Sequence, residues 1–296
     1  MELRKPAVAG RFYEQNHDKC LQDVKNLCKI DIPSDIQGDL PEKIVAGIVP
    51  HAGWVFSGDL AAMVFKTVKN QNSHVDTFII FGANHTVRTD IALIYDEGYW
   101  QSPLGNIEVD TELAAEIIEN ANDNLLMPHK QAHQYEHSIE VQIPIIQYLF
   151  PNAKIVPIIV PVEHDIFMLG EIIANIIKKT EKNVVCIAST DLTHYGPQYG
   201  YTPHGTGIEG IRWATEVNDQ CFIELATKMR PAELISTSEI SHHSCGAAAT
   251  ACVIEAAKQL GSQQGILLAH TNSNDIMQEK FGQSSNDSVG YAAMVF

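Results

Sequence analysis

The chain has 296 residues, with 20 Lys and Arg against 36 Asp and Glu, so its formal net charge is −16 at pH 7. Nucleic acids and anionic membrane surfaces bind basic faces, and this balance therefore argues against both as partners. Hydrophobic residues are 45% of the chain and charged residues 19%, which is typical of a globular protein and excludes a disordered one.

The 6 cysteines have no framework spacing and include no Cys-x-x-Cys pair. In a chain of this size, that pattern indicates free thiols in a reducing compartment. The first residues lack the apolar segment of a signal peptide, and no apolar run approaches the roughly 18 residues that a spanning helix needs. We therefore expect a cytoplasmic protein.

Apolar runs of strand length alternate with segments of helical periodicity along the chain, which is typical of an α/β fold. Most of these runs are almost continuously apolar, as expected for strands that are covered on both faces. The predicted strands are residues 44–50, 77–82, 91–95, 155–160, 184–189, 266–271 and 289–295.

Helical spacing of apolar residues predicts the intervening helices. Asp110 is a plausible N-cap for one of them, and Pro231 suits the first turn of a short one. Residues 272–288 are rich in Gly, Ser and Asn and are predicted to form a long loop. The remaining predicted helices are centred on residues 20–28, 60–68, 169–177, 211–229 and 245–260.

Histidines follow three of the predicted strands. His51 follows strand 44–50, His85 follows strand 77–82, and Asp191 and His194 follow strand 184–189. In open α/β sheets, ligands bind at the carboxyl edge of the strands. If these strands are parallel neighbours, their four polar residues converge on one pocket, although each histidine taken alone is equally typical of a strand cap.

Cys245 opens an Ala-rich segment that is predicted to be a helix. A thiol in the first turn of a helix has a lowered pKa, because the positive end of the helix dipole favours the thiolate. The thiolate is the form that binds metals or attacks electrophiles. A small core cysteine is the alternative interpretation.

Residues 133–137 contain His-x-x-Glu-His, the inverted zinc-protease pattern. On one long helix, His133 and His137 would share a face and could bind zinc. However, Pro144 lies seven residues after His137, and the apolar stripe begins too late to support such a helix. We expect instead that His137 or Glu140 reaches the pocket as an acid, a base or a supporting group.

The residue types leave the metal open. Two histidines and one carboxylate suit iron and oxygen chemistry, whereas two histidines and one thiolate suit zinc or copper, with iron also compatible. Asp191 and Cys245 are therefore both candidates for a third ligand. The chain has no Gly-x-Ser-x-Gly elbow and no Walker-type phosphate loop, so a serine hydrolase and a nucleotide cofactor are not indicated.

The ordered motifs resemble those of the Memo family, which is called AmmeMemoRadiSam system protein B in prokaryotes, and the resemblance covers the whole chain. The motifs that carry it are RKPAVAGRFY at 4–13, PHAGW at 50–54 with Ser57-Gly58, GANH at 82–85, EHSIE at 136–140, STDLTHYG at 189–196 and Cys245-Gly246.

The resemblance implies a single α/β domain over residues 1–296, similar to class III extradiol ring-cleaving dioxygenases: a twisted, mostly parallel central sheet flanked by helices. It also implies a redox-active metal, iron or copper, held at His51, His85 and Cys245. Asp191 and His194 would lie beside it. True dioxygenases of this class have a carboxylate where this chain has the thiol, which puts ring cleavage itself in doubt.

The leading hypothesis is therefore a metal-dependent oxidoreductase. His194 or His137 would transfer protons, and Asp191 would orient a ligand histidine or a bound water. Glu140 would serve as an acid, a base or a supporting group at the same pocket. The alternatives are a non-catalytic metal- or peptide-binding module and a zinc-dependent hydrolase. We expect an unidentified small-molecule substrate, and the resemblance implies association with a radical-SAM protein. A homo-oligomer is compatible with the low charge density.

Overall fold

A computed structural model describes residues 2–163 and 165–296, which form twelve strands and ten α-helices. The strands are β1 (Leu3–Arg4), β2 (Ala46–Val49), β3 (Thr77–Ala83), β4 (Ala92–Ile94), β5 (Tyr99–Ser102), β6 (Gly105–Glu108), β7 (Leu126–Pro128), β8 (Lys154–Val160), β9 (Val184–Ser189), β10 (His194–Tyr195), β11 (Ile266–Asn272) and β12 (Ser288–Val295). The helices are α1 (His17–Leu27), α2 (Trp54–Gln71), α3 (Thr111–Asn120), α4 (Ile143–Leu149), α5 (Met168–Ile177), α6 (Ile208–Trp213), α7 (Asp219–Thr227), α8 (Pro231–Ser241), α9 (Ala247–Gln259) and α10 (Ser273–Phe281).

A nine-stranded sheet organises the described part of the chain. Its path runs β10-β12-β2-β9-β3-β8-β4-β7, and β11 pairs with β12. The four central strands β2, β9, β3 and β8 are parallel, whereas β12 and β4 join them in antiparallel pairs. A small separate sheet pairs β5 with β1 and β6.

Helices cover both faces of the central sheet, which confirms the α/β fold expected from the sequence. Alternate residues of β3 show this directly, since side chains of a strand point to opposite faces. Ile79 and Phe81 pack in the core on the side of α5 and α9. Phe78 and Ile80 pack in the core on the side of α2. The continuous apolar run of β3 is therefore explained by burial on two faces.

Three of the predicted elements need correction. Residues 272–288 are not one long loop, because residues 273–281 form α10, which Asn272 caps by accepting the Asp275 N–H. The predicted helix 211–229 is interrupted by a π-helical stretch, Ala214–Asn218, and ends before Met229, whose φ is +53°. Helix α10 has few apolar residues, so the sequence shows no helical stripe there. The π-helical stretch changes the register of the following residues, which interrupts the helical periodicity around it.

The third correction concerns Cys245, which lies before α9 rather than in its first turn. Gly246 is the N-cap of that helix. The Cys245 N–H donates to the Asp191 carbonyl at 3.2 Å, and the neighbouring Ser244 forms a bridge with Leu192. These pairings hold the segment in an extended form until the helix begins. None of the helices described in residues 2–163 and 165–296 has the length and apolar character needed to cross a membrane.

Candidate metal centre

The order of the central strands brings the predicted strand-end residues together. β9 lies between β2 and β3, and Ser189 pairs with Val49 on one side and Gly82 on the other. The three strands therefore end level with one another. The segments that follow them, which carry His51, Asp191 and His85, meet at one edge of the sheet, as the sequence predicted.

His51 is fixed from three directions. Its main-chain N–H donates to Asp191 Oδ1 at 2.7 Å, and its ring Nδ1 lies 3.2 Å from Ser189 Oγ. Its other ring nitrogen, Nε2, lies 3.3 Å from the Cys245 Sγ and 4.0 Å from Asp191 Oδ2. The side chain is buried, so Nε2 is presented to the thiol rather than to bulk water.

Glu136, a fully buried residue, holds His85. One carboxylate oxygen accepts the His85 N–H at 2.8 Å, and the other lies 3.0 Å from the ring Nδ1. Because Glu136 occupies Nδ1, the other ring nitrogen, Nε2, is left for a ligand. Burial lowers the pKa of His85, but the bonds with Cys245 and Glu136 outweigh it and raise the pKa to about 10.

A glycine lets this segment approach the sheet. A Cβ at Gly82 would lie 2.5 Å from Ser138 Oγ and 2.7 Å from Ile139. Without a side chain there, the segment that carries Glu136 packs directly on β3, and Ser138 donates to the Ala83 carbonyl at 3.1 Å. Gly82 is thus needed for a close approach of two chain segments.

The Cys245 thiol lies among nitrogen atoms. The Asp191 N–H donates to Sγ at 3.3 Å, and His51 Nε2 also lies 3.3 Å from it. Burial raises the pKa of this thiol, but the charge and hydrogen bonds of the two histidines outweigh it and lower the pKa to about 6. The thiolate is thus the form favoured at neutral pH.

His137 completes a compact group of imidazoles. The candidate ligand atoms of His51, His85 and His137 all lie within 4.8 Å of one another. The His137 ring stacks on His85 at 4.9 Å and packs edge-on against Phe12 at the same distance. Burial, then the positive field of His51, lowers the pKa of His137 to about 4, so this ring is neutral at pH 7.

The group opens into a cavity of about 450 Å³, a size suited to a small-molecule ligand. Asp191 and His194 also line it, and burial raises the pKa of Asp191 and lowers that of His194. Cys245 faces a neighbouring cavity of about 380 Å³, which shares His194 and Tyr199 with the first. The first cavity is lined by His51, His85, His137, Asp191, His194, Phe12, Phe56, Met277 and Tyr291, among others.

Glu140 does not reach this cavity, which corrects the expectation that it acts there. Its carboxylate is fully buried and pairs with Arg4 Nη1 at 2.6 Å. It also accepts the N–H groups of Ala7 and Val8 and the Tyr13 hydroxyl. All of these partners belong to the amino-terminal segment, so Glu140 anchors that segment to the body of the protein.

The donor set fits a transition-metal ion. Imidazole and thiolate are ligands of copper, zinc and iron, and nitrogen ligands at about 2.0–2.1 Å from one ion lie within about 4.2 Å of one another. The candidate atoms of His51, His85 and His137 lie within 4.8 Å of one another, which is close to that separation. His85–Glu136 and His51–Ser189 have the arrangement in which a supporting group fixes one ring nitrogen and leaves the other for a metal.

Glu136 and Ser189 support the ligand histidines, and the sequence did not predict this role for either residue. Both stand inside motifs that were singled out, EHSIE and STDLTHYG. The Glu of His-x-x-Glu-His was a usable signal, because a carboxylate beside a ligand histidine is a common support. Its partner, His85, lies 51 residues away in the chain, so only the fold identifies the pair.

Comparison with known proteins gives consistent matches along the chain. The family profile described as "Memo-like protein" matches residues 4–295. A MEMO1 family protein of Thermococcus onnurineus is 36% identical over 309 residues, covering 99% of both chains. One of Pyrobaculum aerophilum is 34% identical, covering all of this chain and 99% of the relative.

A solved structure shares the fold. An uncharacterized protein from Escherichia coli K12 superposes with a TM-score of 0.51 at 14% identity, covering 84% of this chain and 99% of that one. At this identity the likeness concerns the fold alone.

Proposed function

This chain belongs to the Memo family, and from that premise and the geometry of the site we propose that it is a metal-dependent oxidoreductase. It binds one iron or copper ion through His51, His85 and Cys245, with His137 within reach, and acts on a small molecule in the adjoining cavity. The observation that carries this proposal is the close group of His51, His85 and His137 with the Cys245 thiol beside His51, in which His51 and His85 are each held by a supporting group at Nδ1.

The thiolate distinguishes iron and copper from harder cations. Calcium and magnesium favour oxygen ligands, and here the close candidate ligands are three imidazoles, with the Cys245 sulfur 3.3 Å from His51 Nε2. A site of two histidines and one thiolate also accepts zinc, which makes zinc an outcome to be tested. When bound, iron or copper supplies one-electron chemistry.

The surrounding residues are suited to proton handling. His194 lines both cavities, and among the described residues its buried Nε2 has no hydrogen-bond partner. Since burial lowers its pKa, the neutral ring can accept a proton from a substrate hydroxyl. Asp191 orients His51 through the main chain, and His137, whose ring centroid lies 5.5 Å from that of His51, offers a second neutral imidazole.

Apolar rings shape the rest of the cavity. Phe12, Phe56 and Tyr291 line it together with Met277. Such a wall excludes water and favours a flat, partly apolar ligand over a highly charged one. We therefore propose a phenol-like or similarly small organic substrate.

The experiment begins with protein purified anaerobically under reductant and analysed for metals, beside His51→Ala and His85→Ala. We expect close to one iron or copper per chain in the parent and a large loss in both variants, with circular dichroism unchanged. Unchanged metal content in the variants would show that His51 and His85 do not bind the metal.

Oxygen consumption then separates catalysis from binding. The metal-loaded protein is mixed with phenols, thiols and ascorbate in an oxygen electrode, and His194→Gln serves as the acid–base variant. Uptake that depends on both metal and His194 supports the oxidoreductase. Metal without uptake favours a binding module, and hydrolytic activity with zinc alone favours a hydrolase.

A further inference from the structure

A second buried polar network, centred on Asp219, contacts the loop that carries Asp191 and His194. Asp219, the first residue of α7, is almost fully buried. Its Oδ1 accepts the Thr193 N–H at 3.0 Å, and its Oδ2 lies 3.0 Å from His270 Nε2. The His270 Nδ1 faces the Gln220 amide nitrogen at 3.2 Å. With Nδ1 accepting from Gln220, His270 carries its proton on Nε2 and donates it to Asp219.

Asn218, the residue before Asp219, also contacts Thr193. Asn218 Nδ2 donates to Thr193 Oγ1 at 3.1 Å and to the Ser241 carbonyl at 2.8 Å. Asn218 ends the π-helical stretch Ala214–Asn218. A π-turn shifts the positions of the residues that follow it, and here two consecutive polar side chains reach one residue of the facing loop.

Space for the Asp219 carboxylate comes from a glycine in β12. A Cβ at Gly290 would lie 2.1 Å from Asp219 Oδ2. The same glycine holds the loop through its main chain: Leu192 N–H donates to the Gly290 carbonyl at 2.7 Å, and Gly290 N–H donates to the Thr193 carbonyl at 3.1 Å. Thr193 is therefore fixed by β12 on one side and by Asn218 and Asp219 on the other.

Thr193 lies between two residues of the pocket. Asp191, two positions earlier, bonds the His51 N–H through its carboxylate and the Cys245 thiol through its own N–H. His194, the next residue, lines both cavities. A displacement of Thr193 would move the Asp191 carboxylate and the His194 ring together.

We propose that Asp219 is a positioning residue: its carboxylate, oriented by His270, fixes Thr193 and thereby sets the placement of Asp191 and His194 in the pocket. The role in a metal-dependent reaction rests on the proposed function, whereas the positioning itself is a property of the metal-free chain. A buried carboxylate that accepts two N–H groups outside the cavity is suited to this role, because it combines strong bonds with a fixed geometry.

The test compares Asp219→Ala with Asp110→Ala. Asp110 is an equally buried carboxylate that accepts from Thr77 and Leu113. Thr77 begins β3, so this control lies at the opposite edge of the sheet. The readout is the ¹⁵N spectrum of the histidine rings in metal-free full-length protein, assigned with His51→Gln and His194→Gln, together with the melting temperature.

We expect both alanine variants to lower the melting temperature and only Asp219→Ala to shift the His51 and His194 ring resonances. Asp219→Asn should restore most of the spectrum, because its oxygen still accepts the Thr193 N–H once His270 and the Gln220 amide exchange donor and acceptor roles. Ring spectra like those of the parent in Asp219→Ala would overturn the proposal. Should that variant not fold, His270→Ala decides by the same shifts.

Cobalt binding separates this inference from the proposed function. We expect Asp219→Ala to bind Co²⁺ at least tenfold more weakly than the parent, with a changed thiolate absorption band, and Asp110→Ala to bind it as the parent does. Equal affinity and an unchanged band in Asp219→Ala would contradict positioning of the metal-binding group. A parent protein that binds no Co²⁺ would count against the proposed function, and the ring spectra would still decide the positioning role.

Discussion

Glu136 and Glu140 lie four residues apart, both are carboxylates within one motif, and both are fully buried. Their partners differ. Glu136 bonds the main chain and the ring of His85, which lines the cavity. Glu140 bonds Arg4 and three further groups of the amino-terminal segment.

The difference shows that burial and residue type do not assign a function to a carboxylate. What assigns it is the group that the carboxylate orients. Glu136 orients a titratable ring that opens into a cavity, so its effects should be seen in ligand binding. Glu140 orients the Arg4 guanidinium, two main-chain N–H groups and the Tyr13 hydroxyl. Arg4 also donates to the Glu136 carbonyl, but none of these groups lines the cavity, so the main effect of Glu140 should be seen in stability.

The largest effect is expected from Glu140→Ala. Removing one partner of a buried ion pair leaves the other charge uncompensated and costs about 3–5 kcal/mol of unfolding free energy. Arg4 has this position, since its side chain is also buried. Urea unfolding followed by circular dichroism measures the loss. A loss below about 1 kcal/mol would show that Glu140 does not anchor the amino-terminal segment.

The next effect is expected from Glu136→Gln, with Glu140→Gln as the matched control. The Glu136 carboxylate accepts from His85 N, His85 Nδ1 and Ser138 N, and an amide NH₂ cannot accept. Loss of such a support typically weakens metal binding by about 10–100-fold. Calorimetric titration with Co²⁺ should show this loss for Glu136→Gln and parent affinity for Glu140→Gln. Equal losses in the two variants would remove the functional distinction between the two carboxylates.

A pH series sharpens the same comparison. The pKa of His85 is raised to about 10, so a metal that binds between pH 7 and 10 must displace the proton of this ring. Affinity should therefore rise with pH by up to about tenfold per unit across that window and level off above it. Arg4, the partner of Glu140, keeps its charge throughout. Co²⁺ affinity that is flat between pH 7 and 9 would show that His85 binds metal without losing a proton.

The smallest effect is expected from Ser189→Ala. The Ser189 hydroxyl lies 3.2 Å from His51 Nδ1 and donates to the Ser138 carbonyl at 2.6 Å. A neutral hydrogen bond contributes about 0.5–1.5 kcal/mol, which corresponds to a loss of about 2–10-fold in metal affinity. The Co²⁺ titration used for Glu136→Gln measures it. A loss larger than that of Glu136→Gln would reverse the ranking of the two supports.

Local patterns in the sequence predicted the parallel core well. The strand predicted at residues 77–82 is found as Thr77–Ala83, and the one predicted at 184–189 is found as Val184–Ser189. Strands buried on both faces leave a continuous apolar run, which a sequence displays directly. The placement of histidines just after such strands was enough to predict that His51 and His85 approach one another, and their ring centroids lie 5.2 Å apart.

The residues that support the site could not be predicted from such local patterns. Glu136 and Glu140 belong to the same five-residue motif, and only the fold shows which one faces His85. Asp219 reaches Thr193 from 26 residues away, after a π-turn that leaves no clear periodicity. Hydrogen bonds between distant residues depend on the final packing of the elements, whereas strands and helix stripes depend on the local order of residues.

The most direct measurement of the central claim is an anaerobic titration of the metal-free protein with Fe²⁺ and Cu⁺, beside Cys245→Ser. We predict one ion per chain in the parent and an affinity at least tenfold lower in the variant, because the thiolate beside His51 is replaced by a poorly coordinating hydroxyl. Unaltered affinity in Cys245→Ser, or no stoichiometric binding by the parent, would contradict a metal centre built on this thiol.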